Sequence, residues 1–186
     1  MDFNARFEQG LAYHDFLAKY GTDDQRNRWG RMHAAIRLSD QQRQLLAGFT
    51  RQMKIMCLAG AWCGDCVDQC PIFEHFAQAN DQIQVRYFDR DDNADLHPQF
   101  SICGGARVPS VIFLSEDGAP TGRYGDRTLA KYRALAAPGI GGACSTGIGP
   151  ATDPLAQAVL QEWLDQFERN QLILRTSPRL RQRYGD

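Results

Sequence analysis

The chain has 186 residues, enough for one domain with a sizeable core, and carries 21 basic against 22 acidic side chains. That balance gives no electrostatic footprint for nucleic acid, and no apolar run approaches the roughly 18 residues of a membrane span. Six cysteines are too sparse for a scaffold built from disulfides, so the thiols are read as chemistry, metal ligands or small buried hydrophobes.

The opening stretch MDFNARFEQGLAYHDFL has no basic region followed by an apolar one, and the chain is therefore expected in the cytoplasm. The first fifty residues read as helices. Phe3, Phe7 and Leu11 share a helical face, Thr22 with Gln25 forms a capping box ahead of Trp29, Met32 and Ile36, and Ser39 with Gln42 forms another ahead of Leu45, Leu46 and Phe49. Helices this short do not usually fold alone, so residues 1–52 are expected to pack as a helical N-terminal extension on the domain that begins at Met53.

From Met53, MKIMCLAGA is apolar on both parities, as a strand buried on both faces is. A helix from Cys63 to Ala79 and a strand at IQVRYFD come next, then a short helix at NADLHPQF, broken near Pro98. A strand at SVIFL after Pro109, a turn at EDG, an edge strand over residues 121–124 and a helix over 127–136 complete a β-α-β-α-β-β-α order. Residues 137–154 are Gly-rich, lack the Gly-Lys-Ser/Thr of a phosphate loop and read as a surface linker. Helical period returns with Leu155, Val159, Leu160, Trp163, Leu164 and Phe167. Residues 155–186 are expected to supply a closing helix and a basic, solvated tail.

Three of the cysteines crowd into AGAWCGDCVDQCP, residues 59–71. Cys63 and Cys66 fall where a buried strand hands over to a helix, so unpaired N–H groups and the helix dipole favour an anion at Cys63, and a thiolate is the anion on offer. The thiolate is the form that attacks disulfides, and the two-residue spacing lets Cys66 close on Cys63. A metal site built from Cys63, Cys66 and Cys70, with Cys103 or a histidine as fourth ligand, has only part of the usual spacing and lacks a second Cys-x-x-C. His14, His33, His75 and His97 make no ligand pair at i,i+4. The acidic run DRDDNADLHPQF has Ala94 where a calcium loop needs Gly and Phe100 where it needs Glu. Cys70, one helical turn beyond Cys66, is too far along the helix for a bridge and reads as a packed free thiol. Nothing pairs Cys103 or Cys144.

WCGDC, from Trp62 to Cys66, after a strand and opening a helix, resembles the thioredoxin superfamily, whose usual sequence is Trp-Cys-Gly-Pro-Cys. Pro71 resembles its helix-kinking proline, FDRDDNADL its strand-to-helix segment, RVPSVIF its cis-proline loop, and Gly118 and Gly125 its turn and bulge glycines. The resemblance covers residues 53–136. It implies an α/β thioredoxin-like fold, a central mixed β-sheet flanked by helices, with the helical extension and the C-terminal helix added to it.

The implied function is a thiol-disulfide oxidoreductase. Cys63 attacks and Cys66 resolves the mixed disulfide. Val108, before a cis Pro109, offers backbone to an extended substrate, while Trp62, Gly64 and Asp65 set the surroundings. No bound cofactor is implied. The partners would be a disulfide-containing protein or small-thiol substrate, and a reductase or thiol as electron donor. The alternative is a non-catalytic, protein-binding adaptor on the same fold, in which the N-terminal helices cover the dithiol or grip a partner.

The chain departs from the family at two places. Cys57 stands on the central strand where the family keeps a buried Asp, so the proton of Cys66 needs another acceptor, with Asp65 and Asp68 as candidates. Asp65 also replaces the proline between the cysteines; its charge is expected to oppose a Cys63 thiolate and make the protein a reductant.

Overall fold

The computed structural model describes residues 1–137 and 153–185; Cys144 and residues 138–152 of the expected linker lie outside the described residues. Strands β1 (Met53–Ala59), β2 (Ile83–Asp89), β3 (Ser110–Leu114) and β4 (Pro120–Gly125) form one mixed sheet in the order β2-β1-β3-β4. All seven residues of β1 are buried, as its unbroken apolar run requires of a strand flanked on both edges and covered on both faces. It runs parallel to β2 and antiparallel to β3, and β3 runs antiparallel to β4. Helix α5 (Gly64–Ala79) makes the crossover from β1 to β2. The register pairs Cys57 with Tyr87 on one side and Val111 on the other, and Leu58 with Ser110. The turn that leaves β1 is thereby set beside Pro109.

Four helices precede the sheet: α1 (Phe3–Phe7), α2 (Tyr13–Tyr20), α3 (Asp23–Ala35) and α4 (Asp40–Ala47). Both capping boxes form, Thr22 with Gln25 opening α3 and Ser39 with Gln42 opening α4. Leu11 departs from its expected place on a helical face. Helix α1 stops at Phe7, and Leu11 makes a two-bond antiparallel bridge to Tyr87 on β2, with N···O distances of 3.0 and 2.8 Å. Gly10 is what permits the approach, since a Cβ there would lie 2.6 Å from Arg86 Cβ and 2.7 Å from the Phe88 ring.

After β2, a 3-10 turn over Ala94–Leu96 leads into α6 (His97–Phe100), with Pro98 in its first turn. Pro98 therefore starts a helix where a break was expected, because the first turn is the one place a missing N–H costs nothing. The β3–β4 register shifts between Phe113 and Leu114, opposite residues 120–122. The irregularity is not at Gly125. Gly125 instead has φ 144° and lies so close to the Pro109 carbonyl that a Cβ would sit 2.5 Å from its oxygen.

Helix α7 (Leu129–Ala136) and the long α8 (Pro154–Thr176) close the structure, α8 laying Trp163 and Phe167 edge-on against Phe73 and Phe113, with ring centroids 4.5 and 5.2 Å apart. The tail expected to be solvated folds as α9 (Pro178–Tyr184), capped by Ser177 and burying Leu180. Arg179 and Arg183 both pair with Asp117 in the β3–β4 turn, which gives those basic side chains a fixed partner.

Candidate functional site

Cys63 is the N-cap of α5, extended at φ −78° and ψ 125°, with its carbonyl accepting the first helical bond from Val67 N–H at 3.0 Å. The turn ahead of it is held from three sides. Cys63 N–H donates to Gly60 O at 3.0 Å, Arg90 N–H to Ala59 O at 2.8 Å, and the Trp29 indole N–H to Ala61 O at 2.9 Å. A Cβ on Gly60 would lie 2.6 Å from the Trp62 ring, so the missing side chain lets the indole fold back over this turn. Trp62 remains 43 % exposed, with the Arg90 guanidinium 4.5 Å above its ring, and a Cβ at Gly64 would meet only open space. Sequence reasoning counted Trp29 among core residues and missed its grip on this turn, because nothing local in α3 signals a partner on a loop some thirty residues later.

The Cys63 sulfur lies 3.5 Å from the Val108 carbonyl, and the Val108–Pro109 peptide is cis. Cys63 is 9 % exposed and Cys66 fully buried behind it. Burial opposes ionisation of Cys66, but hydrogen bonds from the Cys63 and Cys70 thiols outweigh it and bring the group down to about 5. Cys63 moves the other way, because its hydrogen bond to Cys66 retains the proton, with burial adding to the shift. The hydrogen bond between them couples the two ionisations, favouring a single thiolate shared by the pair over two. Further in, Cys70 and Cys57 place their sulfurs 3.9 Å apart. Both are fully buried and both are pushed up, chiefly by burial. Cys57, Cys63, Cys66 and Cys70 are all free thiols.

The two acids beside the dithiol are not open to solvent. The Asp65 carboxylate accepts from Arg127 Nη2 and from Lys131 Nζ, each at 2.7 Å, and the same Lys131 nitrogen is 2.7 Å from Asp68 Oδ2. Asp65, Asp68 and Lys131 are all buried. The sequence leads one to expect the Asp65 charge to oppose the Cys63 thiolate. It instead faces two cations, which overcome the effect of burial and hold its carboxyl below the ordinary range. Gln69 links this cluster to the rest of the fold: its Nε2 donates to the carbonyls of Asp65 (3.1 Å) and Asp126 (2.9 Å), and its Oε1 accepts from the Trp163 indole at 2.8 Å.

Other sequence candidates lie apart from this arrangement. Cys103 is exposed at the tip of a tight turn closed by the Ile102–Gly105 bridge. His33 and His75, far apart in sequence, stack at 4.3 Å, with His75 Nε2 2.9 Å from the His33 carbonyl. Among the described residues, no group of three or more His, Cys, Asp or Glu side chains is arranged to hold a metal ion, and no helix is long and apolar enough to cross a membrane.

Comparison with known proteins covers both sequence and shape. A thioredoxin from Alicyclobacillus acidocaldarius subsp. acidocaldarius is 36 % identical over 61 residues, which is 32 % of this chain and 54 % of that protein. The chain thus spans about half the length of that curated relative. Among solved structures, a Pseudomonas aeruginosa protein of unknown function superposes with a TM-score of 0.71 at 16 % identity, over 91 % of this chain and 96 % of that one. An HIV epitope-scaffold superposes with a TM-score of 0.69 at 16 % identity, over 91 % and 97 % of the two chains. These likenesses speak for the fold alone. The thioredoxin family profile matches residues 10–136 and so takes in most of the helices ahead of β1. With that match over most of its length and a mixed sheet flanked by helices, the chain belongs to the thioredoxin family and has its α/β thioredoxin-like fold.

Proposed function

We propose that the protein is a thiol-disulfide oxidoreductase acting through Cys63 and Cys66. The observation that carries this reading is the placement of the Cys63 sulfur at the start of α5, beside the Val108 carbonyl, with Cys66 directly behind it. The first ionisation of the pair is easy, and transfer of the remaining proton from Cys63 to Cys66 puts the thiolate on the sulfur nearer the surface. That thiolate attacks one sulfur of the substrate disulfide. The S–S bond breaks, a Cys63 mixed disulfide forms, and the first substrate thiolate leaves to take a proton from solvent. Cys66 then attacks the Cys63 sulfur, its proton passing to the departing second substrate thiolate, and a Cys63–Cys66 disulfide closes, so two electrons have passed to the substrate.

Val108 and Pro109 line the groove for an extended substrate segment, and Trp62 offers an exposed apolar surface at its rim. A reductase or a small thiol returns the electrons, with no resident cofactor. A reducing compartment such as the cytoplasm suits the free thiols.

Mild oxidation followed by mass spectrometry of the bonded cysteines, with turnover of insulin disulfides by the reduced protein, tests the reading. A Cys63–Cys66 bond and turnover are expected; a bond elsewhere, or a metal held stoichiometrically by Cys63, Cys66 and Cys70, overturns it. The 9 % exposure of Cys63 is the observation that favours the adaptor instead. Inertness of Cys63 to iodoacetamide at neutral pH decides for that alternative.

A further inference from the structure

We propose that Lys131 is a positioning residue for the Cys63/Cys66 couple: it neutralises Asp65 and Asp68, so that the thiolate forms beside compensated rather than bare negative charge. The inference rests on the redox reading above and adds to it a part of the site on α7, more than sixty residues away in sequence. Asp65 lies between the two cysteines, and Asp68, three residues further on, is its neighbour on the surface of α5, where like charges repel. Lys131 Nζ is 2.7 Å from an oxygen of each, with all three side chains buried, and Arg127 Nη2 holds the other Asp65 oxygen at 2.7 Å. Lys131 and Arg127 thus meet the Asp65 and Asp68 carboxylates, and loss of either cation takes one positive charge from a buried setting beside Cys66.

The placement of Lys131 is itself fixed. The Glu162 carboxylate of α8 caps α7, accepting from Leu129 N–H at 2.6 Å and Ala130 N–H at 2.9 Å, while also holding the Tyr124 hydroxyl at 2.7 Å. Thr128 is the N-cap residue, its hydroxyl accepting from Lys131 N–H. The rotation of α7 about its axis is thus set by α8, which lies outside the matched span of residues 10–136. On the flank of the cluster, Asp126 pairs with Arg107 and accepts from the Tyr132 hydroxyl, so it places no bare charge against Lys131.

The test compares Lys131→Gln and Lys131→Arg with the parent, reading the pH profile of Cys63 alkylation and the dithiol–disulfide equilibrium against glutathione in full-length protein. In Lys131→Gln the first thiol ionisation is expected to rise by about one pH unit. Alkylation below it then slows about tenfold, and where the thiolate is populated the equilibrium moves about tenfold toward the disulfide, or about 30 mV. Lys131→Arg is expected to restore both, which a role confined to packing would not require. If Lys131→Gln fails to fold, Arg127→Gln, at a side chain 20 % exposed, removes a cation from the same carboxylate and is expected to shift both readouts in the same direction. A folded charge-removing variant with parental ionisation and equilibrium overturns the inference. If the parent itself forms no Cys63–Cys66 disulfide, the redox reading falls, and the inference with it.

Discussion

Two clusters of buried ionisable side chains flank the start of α5, and they deal with burial in opposite ways. Inward lie Cys70 and Cys57, sulfur to sulfur at 3.9 Å, kept neutral because burial pushes both thiols up. On the α7 side lie Asp65, held below the ordinary carboxylate range by Lys131 and Arg127, and Asp68, ion-paired with the same Lys131. A buried group that can hold its proton needs no partner, whereas one that must remain ionised needs an opposite charge at hydrogen-bond distance. Cys66 sits between these two regimes, and each cluster can be broken on its own.

The largest effect is expected from Lys131→Met, which removes the ammonium shared by two buried carboxylates; urea unfolding at pH 7 should show a loss of about 3–5 kcal/mol. A loss below about 1 kcal/mol would mean that water reaches the cluster. Cys57→Asp asks whether the thiol cluster tolerates the acid usual in the family. With no cation at hand the carboxyl stays protonated, at a cost of about 1–3 kcal/mol. Because that carboxyl is raised in the folded state, the deficit is smallest in acid and grows as pH rises through the ordinary carboxylate range toward its folded value. Urea midpoints at pH 4 and pH 8 check the sign.

Asp65→Asn probes the opposite slope. The Asp65 carboxyl is held below its ordinary value of 3.8, so its contribution to stability is complete at neutral pH and is lost as pH falls from that value through the lower one of the folded state. The variant's urea midpoints between pH 2 and pH 6 should lose part of the parental acid dependence, and an unchanged curve would place the slope in other acids. Cys70→Ala should do least in acid, about 1 kcal/mol for one deleted buried heavy atom, with a larger loss as pH rises and Cys66 ionises without the hydrogen bond from Cys70. A loss that stays constant with pH would show that Cys70 does not support the Cys66 thiolate.

The thiol side of this contrast was largely legible in the sequence and the ionic side was not. MKIMCLAGA announces a doubly covered strand, WCGDC marks a strand-to-helix handover, and the boxes at Thr22 and Ser39 mark helix starts through neighbours three residues apart. Such signals are local. Asp65 meets Lys131 only because α8 orients α7, and no spacing along the chain encodes that. The same limit explains Trp29 on Ala61, His33 on His75 and the basic tail on Asp117: each pair is made by packing between distant elements. Leu11 was misplaced for a different reason. Its apolar spacing fits a helix, and the competing signal, Gly10, draws its meaning only from the strand it approaches.

The Leu11–Tyr87 bridge also bears on how the molecule avoids its own kind. In the sheet, β2 is a terminal strand, and its outer row of backbone donors and acceptors could template pairing with another chain. A single short crossing segment, backed by the close seat of Gly10 on Phe88, occupies the middle of that row and interrupts it. It does so without adding a full strand that would itself present a new open flank. A chain shortened to begin after Leu11 would keep every residue of the dithiol turn, yet it would lose the buried Phe7 and bare this flank, adding edge-to-edge self-association to the loss of packing.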